Sequence, residues 1–434
     1  MKVEITHKET IKPCSPTPPS KKDYKLSLID QLTPGPYVPI VLFYDSTTKF
    51  SNDHLKKSLS KTLTYMYPLA GRKIDEFTIE CNDEGVDFLE ANVSNITLSN
   101  IVNDPKIETL CQLLPCHVLD RSIRQSDQVL LRVQLTKFPC GGISIGVCVS
   151  HLVADASSLG TFVKTWAKMN QENDQESNGI DNGFIVDVTG IFPPTDLRNN
   201  PWLTLIPTEE ELPLKISMKR FIFDNSKLAT LIQSCPVEER YATRFEALSA
   251  FLWSSIIPTW KDKKSDIKVY ILLISINLRN RMNPNLPANS IGNLVYPTMA
   301  KWEVEEGEID YKKLVEKVQE SIRKVDDSYI RRVHEKNEYI NYSNSILELA
   351  ITRGNEVGFA GCISWCKIPF YEADFGWGKP TWIANPVKFP CGFHLLDCVD
   401  GNGIEVWMGL PEEHMKLLEK NEDFMSYVSL NQDV

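Results

Sequence analysis

The stretch Gly142-Ile143-Ser144-Ile145-Gly146-Val147-Cys148-Val149-Ser150-His151 decides the fold class. Ile143, Ile145, Val147 and Val149 alternate with small residues, the period of two expected of a strand with one buried face. Past Asp155 the period changes. Leu159, Phe162, Val163, Trp166 and Met169 follow the i, i+3, i+4 spacing of a helix with one buried stripe. The segment therefore reads strand, short turn, helix, and the turn, residues 151–155, holds the polar side chains. An α/β fold follows if the rest of the chain alternates in the same way.

It does so on both sides. Leu55, Leu59, Leu63 and Met66 predict a helix within Asn52–Tyr67, stopped by Pro68 and Gly71. The first 20 residues end in a Pro-rich run that cannot hold a helix, and they read as an extended lead-in. In the second half, Thr243-Arg244-Phe245-Glu246 is a capping-box candidate, since Thr at the N-cap and Glu three residues on satisfy each other's free amides. The apolar run Val269–Ile276 predicts a buried strand that delivers Asn277-Leu278-Arg279 at its end. Leu314, Val318, Ile322 and Val325 predict a helix over 311–325. Ile404, Val406 and Met408 alternate as a strand before Pro411, which opens a further helix. The polar run 171–182 and the Pro-bearing stretch 192–213 have the composition of a connection rather than a core. The expected organisation is an N-terminal domain over 1–169, a crossover over 170–212 and a C-terminal domain over 213–434.

Length and charge exclude several classes. At 434 residues the chain exceeds one ordinary core, and 42% hydrophobic with 24% charged residues is the composition of a folded soluble protein. A net charge of −10 makes nucleic acid an unsuitable partner. No apolar run reaches the roughly 18 residues of a membrane helix, and Met1–Pro19 carries Lys and Pro where a signal peptide needs an apolar stretch. A cytoplasmic protein with no membrane association is expected. Eleven cysteines without a CxxC pair suit reduced thiols; neither a disulfide framework nor a metal site is signalled. The chain lacks a GxGxxG or Walker loop for phosphate, and the GxSxG match Gly142–Gly146 lies inside the strand read above rather than at a strand-to-helix turn, so no serine elbow is signalled.

Two stretches stand out for chemistry. His151 sits between a buried strand and a buried helix, with Asp155 four residues on. A half-enclosed imidazole has a pKa near or below neutrality and stays the free base needed to accept a proton. The spacing alone favours a plainer reading, a structural His and an Asp at a helix N-terminus. Asp374-Phe375-Gly376-Trp377-Gly378 implies a tight backbone, either a site-lining loop or, as the local composition favours, a structural turn braced by Asp374 with Trp377 as a packing plug. Trp365, after Ser364, fits a core or a pocket wall equally well.

Together, His151-Leu152-Val153-Ala154-Asp155 and Asp374-Phe375-Gly376-Trp377-Gly378, in that order, resemble the plant BAHD acyltransferase family. The resemblance extends to Leu26-Ser27-Leu28-Ile29-Asp30-Gln31, Tyr67-Pro68-Leu69-Ala70-Gly71-Arg72, Asn277-Leu278-Arg279, Gly292-Asn293 and Ser364-Trp365-Cys366, and so covers nearly the whole chain. It is nearest in appearance to the vinorine synthase-like alkaloid acetyltransferase branch. Ala156 departs from the pattern, many members having Gly after the Asp.

The resemblance implies two chloramphenicol acetyltransferase-like α/β domains joined by a long crossover, with a channel in which an acyl-CoA and an acceptor meet at His151. It implies an acyl-CoA-dependent O-acyltransferase with no bound cofactor, using acetyl-CoA and a hydroxyl of an alkaloid or terpenoid, and working as a monomer. His151 would be the general base, Asp155 would pair with Arg279 and shape the turn, and Asn293 would hydrogen-bond the imidazole. The 374–378 loop would be structural. Thr243, at a helix N-terminus, is a candidate for contact with CoA, with Lys367 and Lys379 behind it; Ser364 and Trp365 are candidates for the pocket. Malonyl- or aromatic acyl-CoA donors, an amine acceptor, a hydrolase or a non-catalytic binding protein are the alternatives.

Overall fold

A computed structural model of the protein describes residues 1–33, 37–45, 51–118, 128–172, 184–197, 215–234, 241–260, 266–335, 338–351 and 356–429. The chain divides into two compact units. The first is Met1–Ile206 with Pro287–Leu294 and Ile368–Val387, and the second is Pro207–Leu286, Val295–Lys367 and Lys388–Val434.

In the first unit a six-stranded sheet runs in the order Lys2–Ile11, Val86–Ser94, Leu131–Lys137, Ile143–Ser150, Tyr37–Tyr44, Trp382–Ala384. Only Val86–Ser94 and Leu131–Lys137 pair in parallel. The Ile143–Ser150 strand lies inside this sheet and is buried along its whole length, on both faces rather than one. The reason is its small residues. A Cβ on Gly146 would run into the carbonyl oxygen of Leu113, so the bare glycine lets the 110–114 segment close over the second face.

The helix expected after Asp155 is Ala156–Gln171, and it buries Leu159, Phe162, Val163, Trp166 and Met169. It lies along the Asn52–Tyr65 helix, where Trp166 Nε1 donates to Ser58 Oγ at 3.1 Å and to the Leu55 carbonyl at 3.2 Å. The extended lead-in is in part a sheet strand, Lys2–Ile11, followed by a single 3₁₀ turn at Pro19–Lys21.

The second unit holds another six-stranded sheet in the order Val295–Glu303, Val269–Asn277, Val357–Ser364, Gly392–Asp397, Gly403–Pro411, Ile216–Asp224. Two of its pairings, 269–277 with 357–364 and 357–364 with 392–397, are parallel. The capping box forms as read. Thr243 N donates to Glu246 Oε2 at 2.8 Å and Glu246 N donates to Thr243 Oγ1 at 3.2 Å, opening the Arg244–Ile256 helix. The Tyr311–Arg323 helix and the Gly403–Pro411 strand also lie where the periodicity puts them. The helix after Pro411 is Glu412–Glu419, and a shorter one, Glu422–Tyr427, follows it.

The expected 213–434 domain is interrupted: its pieces 287–294 and 368–387 belong to the first unit, and the Asp374–Gly378 loop goes with them. Backbone pairing explains this. Trp382–Ala384 adds to the edge of the first sheet against Tyr37–Tyr44, and Ile291 N donates to the Phe184 carbonyl at 2.6 Å. Of the crossover, 173–183 and 198–212 lie outside the described residues. Within 184–197, the Phe192 carbonyl accepts from Leu28 N at 3.0 Å, so this part packs with the first unit.

Two buried histidines make the second unit sensitive to acid. Burial pushes the His394 pKa down to about 3 and the His334 pKa down to about 4. An unfolded histidine titrates near 6.5. Below that pH the unfolded chain takes up protons that the folded one refuses, so stability falls as pH drops toward 4 and 3. Between pH 7 and 5 each is expected to remove about 2 kcal/mol. The urea midpoint measured at the two pH values checks this, and an unchanged midpoint would mean that both rings ionise in the folded state.

Candidate active site

His151 follows the last residue of the central strand, and the turn after it is tied back to that strand. Val153 N donates to the Ser150 carbonyl at 3.1 Å and Leu152 N to Ser150 Oγ at 3.3 Å. Leu152, Val153 and Ala154 are buried, and His151 is half-buried.

Asp155 faces away from that ring. It is 1% exposed and caps the Ala156–Gln171 helix, its Oδ1 accepting from Ser158 N at 2.8 Å and from Ser158 Oγ at 2.9 Å. Its Oδ2 accepts from Leu294 N at 3.0 Å. Asp155 therefore pins the 292–294 segment to the start of the helix. The Ser158 hydroxyl adds a second tie, accepting from Gly292 N at 3.1 Å, with its single hydrogen shared between Asp155 Oδ1 and the Gly292 carbonyl, each 2.9 Å away.

That segment brings Asn293 onto the imidazole. His151 Nδ1 and Asn293 Oδ1 are 2.9 Å apart, and Asn293 Nδ2 donates to the His151 carbonyl at 2.6 Å. A backbone carbonyl only accepts, so the amide nitrogen must face it and Oδ1 must face the ring. Nδ1 then carries the hydrogen, and Nε2 is the ring's proton acceptor. Burial pushes the His151 pKa below the ordinary imidazole value, while the Asn293 hydrogen bond and the charge of Asp155 act in the opposite direction. The ring is thus a neutral base at physiological pH. Asp30, to which the sequence reading assigned no role, lies on the far side of Asn293.

The Asp374–Gly378 loop sits at the other end of the same helix. Asp374 Oδ1 accepts from Gly376 N at 2.7 Å and Gly378 N at 3.0 Å, and both glycines have positive φ, +98° and +112°. Asn170 Nδ2 donates to the Phe375 carbonyl at 2.7 Å, and Trp166 meets the Phe375 ring edge-on at 4.9 Å. Asn170 and Asp155 are separated by about 22 Å of helix at 1.5 Å per residue. The loop's glycines serve the backbone that Asp374 braces, and Trp377 packs on Phe375 at 5.3 Å.

Of the other candidates, Lys379 lies in the first unit and Arg279, Thr243, Ser364, Trp365 and Lys367 in the second. Arg279 is 2% exposed, and its Nη1 lies 3.3 Å from Asn277 Oδ1. Thr243 is exposed at its helix start, with its side-chain oxygen engaged in the capping box. Ser364 Oγ accepts from Cys366 N at 3.3 Å. Trp365 is buried, with its ring edge-on to the His394 ring at 4.5 Å. Among the described residues, no group of three His, Cys, Asp or Glu is placed to hold a metal, and no helix is long and apolar enough to cross a membrane.

A family model described as "Transferase family" matches residues 1–425. Limonoid 21-O-acetyltransferase of Citrus sinensis is 38% identical, with all of both chains covered. Vinorine synthase of Rauvolfia serpentina is 34% identical over 96% of each chain. The crystal structure of vinorine synthase superposes with a TM-score of 0.81, covering 99% of both chains at 31% identity. The F. sporotrichioides TRI101 structure, complexed with coenzyme A and T-2, shares the fold alone: its TM-score is 0.71 at 17% identity, covering 94% of this chain and 99% of that one.

Proposed function

The chain belongs to the Transferase family, the BAHD acyltransferases, and from that premise we propose that it transfers acetyl from acetyl-CoA to a hydroxyl of a plant specialised metabolite of alkaloid or terpenoid type, with His151 as general base. The observation that carries the mechanism is the His151–Asn293 pair, which holds a neutral imidazole with Nε2 free of its proton. The relatives favour a limonoid-type terpenoid alcohol first and an alkaloid alcohol second, in the order of their identity, 38% and 34%.

In this reading Nε2 removes the acceptor's hydroxyl proton as its oxygen attacks the thioester carbonyl. The tetrahedral intermediate collapses by breaking the C–S bond, and the imidazolium returns the proton to the departing CoA thiolate. The acyl group passes directly from sulfur to oxygen. Acetyl-CoA is a co-substrate, so no resident cofactor is required. Asp155 holds the turn and the 292–294 segment, with Arg279 as its proposed counter-charge. Thr243, Ser364 and Trp365 remain proposals for contact with CoA or the acceptor, and Asp374–Gly378 for a purely structural part. A monomer in the cytoplasm completes the proposal.

Free-thiol release from acetyl-, malonyl- and aromatic acyl-CoA, each with a panel of limonoid and alkaloid alcohols and amines, tests it. Acetyl-CoA consumption that depends on an alcohol is the expected result. Release without any acceptor would mean hydrolysis. Preference for another donor or for amines would overturn the corresponding part of the assignment.

A further inference from the structure

We propose that Asp30 is a positioning residue for acyl transfer, acting through Asn293 to hold His151 in the tautomer that accepts the substrate's proton; this rests on His151 being the base. Asp30 is 1% exposed and receives four hydrogen bonds. Its Oδ2 accepts from Ser27 N at 2.9 Å and Ser27 Oγ at 2.7 Å, the capping box of the short Leu28–Leu32 helix. Its Oδ1 accepts from Asn293 N at 3.0 Å and Asn293 Nδ2 at 2.9 Å.

Capping does not need this charge. In the same unit the Leu98–Asn103 helix has a capping box built from Thr97 and Asn100, where a neutral amide does the equivalent work in an exposed position. A carboxylate buried at 30 carries a desolvation penalty, and burial does push its pKa up. What an amide cannot do is accept on both ends. Asn at 30 would turn its NH₂ group either toward the Ser27 amide or toward the two donors of Asn293.

The carboxylate therefore locks Asn293. Both hydrogens of Nδ2 are committed, one to Asp30 Oδ1 and one to the His151 carbonyl, and a flipped amide would set its oxygen against two acceptors. With Oδ1 held toward the ring, Nδ1–H is the bound tautomer. When Nε2 takes up a proton, the Asp30 charge behind the polarised amide favours the imidazolium. Among the described residues, the charge of Asp155 also raises the His151 pKa, and Tyr24 is held neutral first by burial and then by the charge of Asp30.

The test compares D30N and S27A with the wild type and H151A, using the full chain, acetyl-CoA and an acceptor from the thiol-release panel over pH 5–9. D30N is expected to lower kcat about 10- to 100-fold, the scale seen when the partner behind a metal-bound imidazole is lost. Its acid limb of kcat/KM should move down by about one pH unit, because a charge favouring the imidazolium has gone. S27A removes one donor to Asp30 Oδ2 but keeps the Oδ1–Asn293 pair, so Tm should fall while kcat and the limb change in the same direction as in D30N and by much less.

A D30N enzyme with wild-type kcat and an unmoved limb, beside an inactive H151A, would overturn the role of Asp30 and leave the base in place. So would a loss of kcat that only tracks the folded fraction. An active H151A would remove the base itself, and this proposal with it. If D30N does not fold, ¹⁵N NMR of the wild-type imidazoles decides, with the H151A spectrum assigning the signal. Nδ1–H is expected, and an Nε2–H tautomer would overturn the proposal.

Discussion

His151→Ala is expected to lose about 10²–10⁴-fold in acceptor-dependent acetyl transfer, the usual worth of a positioned general base, while remaining folded. The fold should survive because the turn does not hang on the ring. Its backbone is tied by Val153 N to the Ser150 carbonyl and by Asp155 to Ser158 and Leu294. The Asn293 Nδ2 bond to the residue 151 carbonyl also persists, since it uses main chain. What is lost is one donor to Asn293 Oδ1, and a water molecule in the vacated half-buried space can replace it. Thiol release, circular dichroism and a thermal melt on the same preparation separate chemistry from folding. A variant that keeps more than about a tenth of the activity would contradict the base role.

The pH profile should agree with this. Because burial lowers the His151 pKa, the wild-type acid limb belongs below the ordinary imidazole value, and activity rises with pH through it. A limb well above 6.5 would mean that another group is being titrated.

How much of this is legible in the chain depends on whether the signal is local. Residues 142–171 announce strand, turn and helix because their buried positions repeat at the periods of those elements, and the Thr243–Glu246 cap is a contact three residues long. Lys2–Ile11 is nearly all exposed, so it has no apolar period to read, and only its pairing with 86–94 makes it a strand. The second buried face of 143–150 depends on the Leu113 backbone, over 30 residues away, and on Gly146 having no Cβ. The Asp374 loop could be read as a braced turn from its own residues. Its place in the first unit could not, since that comes from Trp382–Ala384 joining the Tyr37–Tyr44 strand. Asn293 entered the candidate site through the family resemblance, whereas Asp30 and Asn293 are 263 residues apart and nothing local links them.

Asp155→Ala should differ from the His151 variant in kind, losing stability and turnover together. The carboxylate is buried and serves Ser158 N, Ser158 Oγ and Leu294 N at once. Truncation leaves two backbone amides without acceptors, and hydrogen bonds to a charged group contribute about 1.5–3 kcal/mol each, so the expected loss is about 3 kcal/mol or more. At about 2–4 °C per kcal/mol for a unit of this size, Tm should fall by at least ~6 °C. Activity follows because Leu294 is the next residue after Asn293. Once its amide is released, the 292–294 segment is free to shift and the Asn293 oxygen leaves Nδ1. Asp155→Asn refines the argument, since its amide oxygen can still accept from Ser158 N while its NH₂ group meets the Leu294 N–H. It should recover part of the Tm but little of the kcat. A melt and a thiol-release assay run well below the variants' Tm separate the two effects, and wild-type stability with wild-type turnover in Asp155→Ala would remove this residue from both roles.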